Sequence, residues 1–179
     1  MHNVHGISRK ELKEKYGHAL FELINDAYKN LFGYSPLTPR QIDHYIEEYI
    51  KILRLDDISI VADENDSLVA VGISMPSMSK ALRASGGKFL PMGWYHLLRA
   101  IRGHSDVVDL MLVAVAPEYQ SKGVNALLFT DLIPAYNANG YKYAESNVEL
   151  EGNENVQRQW EYFERRQHRR RRAWSRPIK

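Results

Sequence analysis

The chain has 179 residues, 44% of them hydrophobic and 26% charged, the balance of a soluble globular domain that buries one continuous core. Cysteine is absent, which excludes disulfides, thiolate metal sites and a cysteine nucleophile. The formal net charge of +2 is close to neutral, yet "RRQHRRRR" at 165–172 gathers six arginines at one end, and no apolar stretch reaches the roughly 20 residues of a membrane helix.

The start "MHNVHGISRKELKEK" lacks the apolar centre of a secretion signal, so a cytoplasmic location and no membrane partner are expected. Ser8 with Glu11 reads as a capping box, followed by Leu12, Tyr16, Leu20, Leu23, Ile24, Ala27, Tyr28 and Leu31 at helical spacing up to Gly33. Thr38-Pro39-Arg40-Gln41 repeats the start signal for a second helix with Ile42, Tyr45, Ile46, Tyr49, Ile50 and Leu53 on one stripe. At 58–75 the period changes: two runs rich in Val and Ile flank "DEND" and predict an antiparallel hairpin closed by Pro76. Residues 76–105 hold two short helical patterns around "GGKFLPMGW", an insertion or lid candidate with Gly86-Gly87 as a hinge and Phe89, Met92, Trp94 and Tyr95 as either a wall or a satellite core.

Val107 to Val115 is too apolar for a half-exposed edge, which predicts a central strand. A helix of about 15 residues then runs to about Asn139, kinked or broken at Pro134 and stopped by Gly140. "YKYAESNVEL" at 141–150 predicts a strand, "ENVQRQWEYFERR" a helix with Val156, Trp160 and Phe163 on one face, and "RRRAWSRPI" at 170–178 a last strand. The expected fold is one α/β domain over 1–179 with a mixed sheet.

Between strand and helix, Gln120, Ser121, Lys122 and Gly123 carry no apolar side chain. Amides of a helix's first turn have no helical acceptor, the positive end of the helix dipole adds to their pull on an anion, and Gly123 admits a phosphate where a Cβ would obstruct it. Neither G-x-x-x-x-G-K-[ST] nor G-x-G-x-x-G is present, so nucleoside-triphosphatase and dinucleotide sites are not supported. The seven histidines show no metal-ligand spacing, and no metal is expected.

"VAPEYQSKGVNA", residues 115–126, resembles the acetyl-CoA signature of the GCN5-related N-acetyltransferases, in which an apolar strand and a proline precede Gln/Arg-x-x-Gly-x-Gly/Ala. The match runs through Gln120 and Gly123 and departs at Asn125, where the family usually has Gly or Ala. The succession of elements also resembles this family from about residue 10, with only Val4 to Ile7 left for its first strand. The chain is similar in particular to the C-terminal half of larger bacterial proteins with two such domains.

The resemblance implies a mixed, mostly antiparallel sheet flanked by helices, with parallel strands at 107–115 and 141–150 splaying apart to take acetyl-CoA. It implies contacts to this co-substrate from Val113, Ala114, Val115, Gln120, Ser121, Lys122, Gly123, Val124, Asn125 and Asn153. Transfer to an amine would be direct, with a base to deprotonate the acceptor, an acid for the leaving thiolate and a backbone N–H on the carbonyl. The family's acid is a tyrosine seven residues beyond an asparagine: counting from Asn153 lands on Trp160, from Asn155 on Tyr162. Base candidates are Asp109, Glu145, Glu149 and Glu151, of which Glu149 and Glu151 are favoured because they lie where the splayed strands would open. Alternation places Asp109 with Val107, Met111 and Val113.

The expected function is therefore acetyl transfer from acetyl-CoA to an amine of a small molecule or peptide, with a homodimer compatible. Two alternatives stand beside it: a catalytically idle domain that keeps the fold and CoA, and a nucleic-acid-binding module using the arginine run, which helix-dipole compensation makes the less favoured partner.

Overall fold

A computed structural model describes residues 1–102 and 105–176. Its contacts group into two units, 1–147 and 148–179, each taken by itself below.

In the first unit a five-stranded sheet has the order β1 (His2–Asn3), β2 (Ile58–Ala62), β3 (Leu68–Pro76), β4 (Val107–Val115), β5 (Tyr143–Ser146). The first three pairings are antiparallel and β4–β5 is parallel. The sequence placed the first strand at Val4 to Ile7; His2 and Asn3 form it instead, opposite Ala62 and Val61. The hairpin turn after β2 is closed by Asp63, whose Oδ1 accepts from the amides of Asn65 and Ser67.

Both capping boxes form as expected. Ser8 starts α1 (Arg9–Glu11), which continues through a π-helical turn at Leu12–Tyr16 into α2 (Gly17–Tyr28), and Thr38 starts α3 (Pro39–Tyr49). The first helix stops at Tyr28 rather than continuing toward Gly33. These helices cover one sheet face: Leu12, Tyr16, Leu20, Ile24, Ile42 and Ile46 bury against Ile60, Val71 and Ala114. The opposite face is covered by α6 (Val124–Ala138), which runs through Pro134 without a break and packs Val124 and Leu128 on Val61, Val69 and Val115. Farther along it, Leu132 and Tyr136 pack with Tyr141 on Val108. Adjacent residues of β2, Ile60 and Val61, thus serve opposite layers, which is the period of two made visible.

The segment after β3 forms α4 (Ser79–Ala84) and α5 (Gly93–Ile101), as the two short patterns predicted. Their tip folds tightly on itself: the Trp94 amide donates to the Phe89 carbonyl at 3.0 Å. A Cβ at Gly93 would sit 1.9 Å from the Lys88 carbonyl oxygen, so only glycine fits there.

In the second unit, α7 (Glu154–Gln159) is followed by a 3-10 turn at Trp160–Tyr162. The helix expected over "ENVQRQWEYFERR" is therefore shorter than its apolar spacing suggested. The strand expected at 170–178 does not form over its described part, residues 170–176, which are exposed and without regular structure; 177 and 178 lie outside the described residues. Consecutive arginines repel one another and offer no apolar face to pack.

Candidate functional site

The opening of β4 away from β5 is built by one extra residue. Opposite β3, Ile73 faces Leu112 and Ser74 faces Leu110, which leaves Met111 as a bulge. The last parallel partners are Leu110 and Ser146, so the two strands part where the bulge bends β4. The strand expected over 141–150 accordingly ends at Ser146, and β4 is interior only over its first half. Asn147 reaches across the gap, its Nδ2 lying 3.4 Å from the Met111 carbonyl oxygen.

Beyond the bulge, β4 has no strand neighbour on its β5 side among the described residues. The Ala116 amide donates to the Val69 carbonyl at 2.9 Å, so by alternation Ala114 also turns its N–H to β3, while Val113 and Val115 turn theirs outward. Their carbonyls confirm the direction: the Tyr28 hydroxyl donates to Val113 O at 2.7 Å and Gln120 Nε2 donates to Val115 O at 3.0 Å. Burial pushes the Tyr28 phenol above its ordinary pKa, which keeps it a donor. Of Val113, Ala114 and Val115, the three residues expected to contact the co-substrate, the first and last turn their amides away from β3 and Ala114 turns its amide toward it.

The loop that follows passes through a 3-10 turn at Pro117–Tyr119, and Ser121 and Gly123 then adopt left-handed φ values of 60° and 77°. Gly123 is the N-cap of α6, no side chain caps that end, and nothing lies within 4 Å of where a Gly123 Cβ would stand. This is an open cradle at the positive end of a 15-residue helix. Lys122 stands over the Tyr119 ring, 5.6 Å from its centroid. The Gln120 side chain locks the loop to β4 through its bond to Val115 O. The residues present fit a diphosphate.

On the other side of the bulge, Asp109 and Glu145 are parallel cross-strand partners. The bulge corrects the expected alternation: Val113 packs with the α6 layer, as Leu110 does, while Leu112 packs with α2 and α3, so Asp109 shares a face with Leu112 and not with Val113. Burial pushes the Asp109 carboxyl above its ordinary pKa, the Ser77 hydroxyl bonded to it pulls the other way, and the Glu145 charge raises it further. Ser77 carried no signal in the sequence, and the pairing of Asp109 with Glu145 required the register.

The remaining expected residues lie in the second unit. Glu149 accepts from Trp160 Nε1 at 2.6 Å, and the Glu151 carboxylate lies 3.8 and 3.9 Å from Arg170 and Arg172. Asn153 is the N-cap of α7 without a side-chain cap bond, and Tyr162 is 90% exposed. Among the described residues no His, Asp or Glu cluster suited to a metal ion is present.

No family model matches the sequence. The chain is 24% identical over 130 residues to Protein YghO of Escherichia coli (strain K12), a match covering 72% of the chain and 33% of that relative, so the chain spans about a third of the curated relative's length. Among solved structures, AAC(6')-Iy in complex with the bisubstrate analogue CoA-S-monomethyl-acetylneamine superposes with a TM-score of 0.53 at 13% identity over 92% of this chain and 94% of that one. An N-acetyltransferase from Staphylococcus aureus gives 0.54 at 15% identity, covering 90% and 82%. An aminoglycoside acetyltransferase from an uncultured soil metagenomic sample, in complex with trehalose, gives 0.54 at 11% identity, covering 97% and 93%. With the bulged, splaying β4 and the left-handed turn into α6, these likenesses show that the chain has the fold of the GCN5-related N-acetyltransferases.

Proposed function

We propose that the chain is an acyltransferase that moves an acetyl group from acetyl-CoA to the amine of a small molecule or peptide. The observation that carries this reading is the β4 edge beyond the bulge, where the outward amides of Val113 and Val115 run into the cradle at Ser121 to Gly123. The cradle would hold the diphosphate, and the β4 edge would pair with the amide-bearing arm as a strand would. When bound, the thioester supplies the activated acyl carbon; an outward β4 amide donates to its carbonyl oxygen.

Asp109 is the base the geometry supports best, because it pairs across the strands with Glu145 and burial raises its carboxyl above its ordinary value, so that it takes up a proton more readily than an exposed carboxylate. The Asp109–Glu145 pair also attracts an ammonium acceptor, and the aminoglycoside acetyltransferase among the neighbours is in keeping with that. Glu149 and Glu151 remain proposed alternatives for the base and Tyr162 for the acid.

Calorimetry with CoA and acetyl-CoA, then thiol release across a panel of amines, tests the reading. Saturable binding with amine-dependent thiol release supports it. An absence of CoA binding at millimolar ligand overturns it. Binding without turnover on any amine selects a second reading, the idle CoA-binding domain, which is favoured by the 2.6 Å engagement of Glu149 by Trp160 and the exposure of Tyr162.

A further inference from the structure

The segment from Ser67 to Ser105 contains five Lys and Arg residues and no Asp or Glu. It carries β3, α4, α5 and the α4–α5 tip; the tip and one face of α5 turn apolar side chains outward, with Phe89 and Leu90 65% and 70% exposed and Met92, Trp94, Tyr95 and Leu98 exposed beside them. Of its cations, Lys80 pairs with Asp106 at 2.6 Å, whereas Arg83, Lys88, Arg99 and Arg102 have no carboxylate partner among the described residues. Helical spacing brings Trp94, Tyr95 and Leu98 onto one face of α5 with Arg99 and Arg102 along its border, while Gly93 and Ala100 are buried on the other side. Arg102 also borders a shallow, open depression with Arg9, Lys51 and Ile101, in which Lys51 pairs with Glu47 and Glu48.

We propose that the α4–α5 hairpin docks the protein on an anionic lipid surface, with Phe89, Leu90 and Met92 entering the acyl boundary and Trp94 and Tyr95 at headgroup level. Aromatic side chains with an apolar body and a polar edge favour that level, and Lys or Arg beside them adds attraction to anionic lipid. Each cation near such a surface contributes roughly fivefold to partitioning, so charge and apolar area act together. The charge distribution selects this occupant: a face bearing only cations repels a second copy of itself, and six outward apolar side chains exceed what a soluble anion needs. Surface docking requires no spanning helix, and none of the described helices is long and apolar enough to be one.

The test uses the full chain in a flotation assay with vesicles of phosphatidylcholine alone or with 30% phosphatidylglycerol (roughly the anionic fraction that gives a strong surface potential). Binding is expected only to the anionic vesicles, with a blue shift in tryptophan fluorescence that Trp94→Phe removes. Phe89→Ser with Leu90→Ser, and separately Lys88→Glu with Arg99→Glu, should each lower partitioning at least about tenfold. All these positions are exposed, and unchanged circular dichroism checks the fold. A third variant, Arg169, Arg170, Arg171 and Arg172 all to Ser, separates the hairpin from the arginine run. Absence of binding, equal binding to neutral vesicles, or binding lost only in that third variant overturns the proposal. So does a concentration-dependent dimer in sedimentation that the Phe89→Ser, Leu90→Ser pair dissociates.

Discussion

Asp57 sits at the start of β2 with 0% of its surface exposed, held by Arg54 Nε at 3.5 Å and by the Tyr141 hydroxyl, which donates to Oδ2 at 3.3 Å. Its backbone carbonyl accepts from Ser74, whose hydroxyl in turn accepts from Tyr136 at 2.9 Å, so one network ties β2 and β3 to the end of α6. Burial raises the Asp57 carboxyl above its ordinary pKa despite Arg54, and raises Tyr136 to about 12. A folded value above the unfolded one means that the group's stabilising contribution is complete below the unfolded pKa and is lost as pH rises through the folded one. Asp57→Asn is therefore expected to flatten the acid side of the stability–pH curve, read by urea unfolding. Asp57→Ala should cost about 3 kcal/mol at neutral pH, because Arg54 and Tyr141 lose their shared partner. At the proposed site, Asp109→Asn should lower kcat/KM about a hundredfold. The wild-type rate should rise with pH through the raised Asp109 value, and the variant should lose that limb. Gly123→Val places a branched side chain at φ 77° in the open cradle; a drop of at least about tenfold in CoA affinity is expected by calorimetry, with roughly 1–2 kcal/mol of strain.

At the scale of elements, the bulge decides more than any side chain. The pairing with β3 skips Met111 between Leu110 and Leu112, and deleting it leaves those two on the layers they already serve. The shortened strand is thus expected to fold, to keep its thermal transition within about 10 °C, and to lose CoA binding because β4 no longer bends away from β5. Retained binding would show that the splay does not depend on the bulge. The helices give the contrasting case. Ser8/Glu11 and Thr38/Gln41 are local devices whose partners lie three residues apart, and both form as read. The π-helical turn at Leu12–Tyr16 had no local signal, since it inserts a residue into the ladder without changing which side chains are apolar.

For the whole molecule, two-layer coverage of the sheet explains why β2 and β3 are almost wholly buried while β5, with one neighbour and only four residues, is largely exposed. The arginine run lies in the other unit, in a described stretch without helix or strand, where ion pairs to Glu151 and Glu161 offset part of its charge. Duplex DNA should bind it through counterion release alone, so affinity is expected to fall by about a thousandfold between 50 and 200 mM salt. A filter-binding titration showing sequence preference that survives 200 mM salt (roughly physiological ionic strength) would promote the nucleic-acid reading.

The sequence by itself determined the order of elements from the first helix to the strand that begins after Gly140, both capping boxes, the hairpin at 58–75 and the bounds of the strand at 107–115, because each is written in neighbours a few residues apart. Tertiary structure alone decided where β4 leaves β5, which amides of that strand face outward, and that Ser77, Asp109 and Glu145 meet. It also showed that Gln120 fastens the loop and that the last arginines do not pair as a strand. The physical reason is range: periodicity and caps are short-distance effects, whereas a bulge, a register and a buried carboxylate's pKa depend on residues brought together from 30 or more positions away.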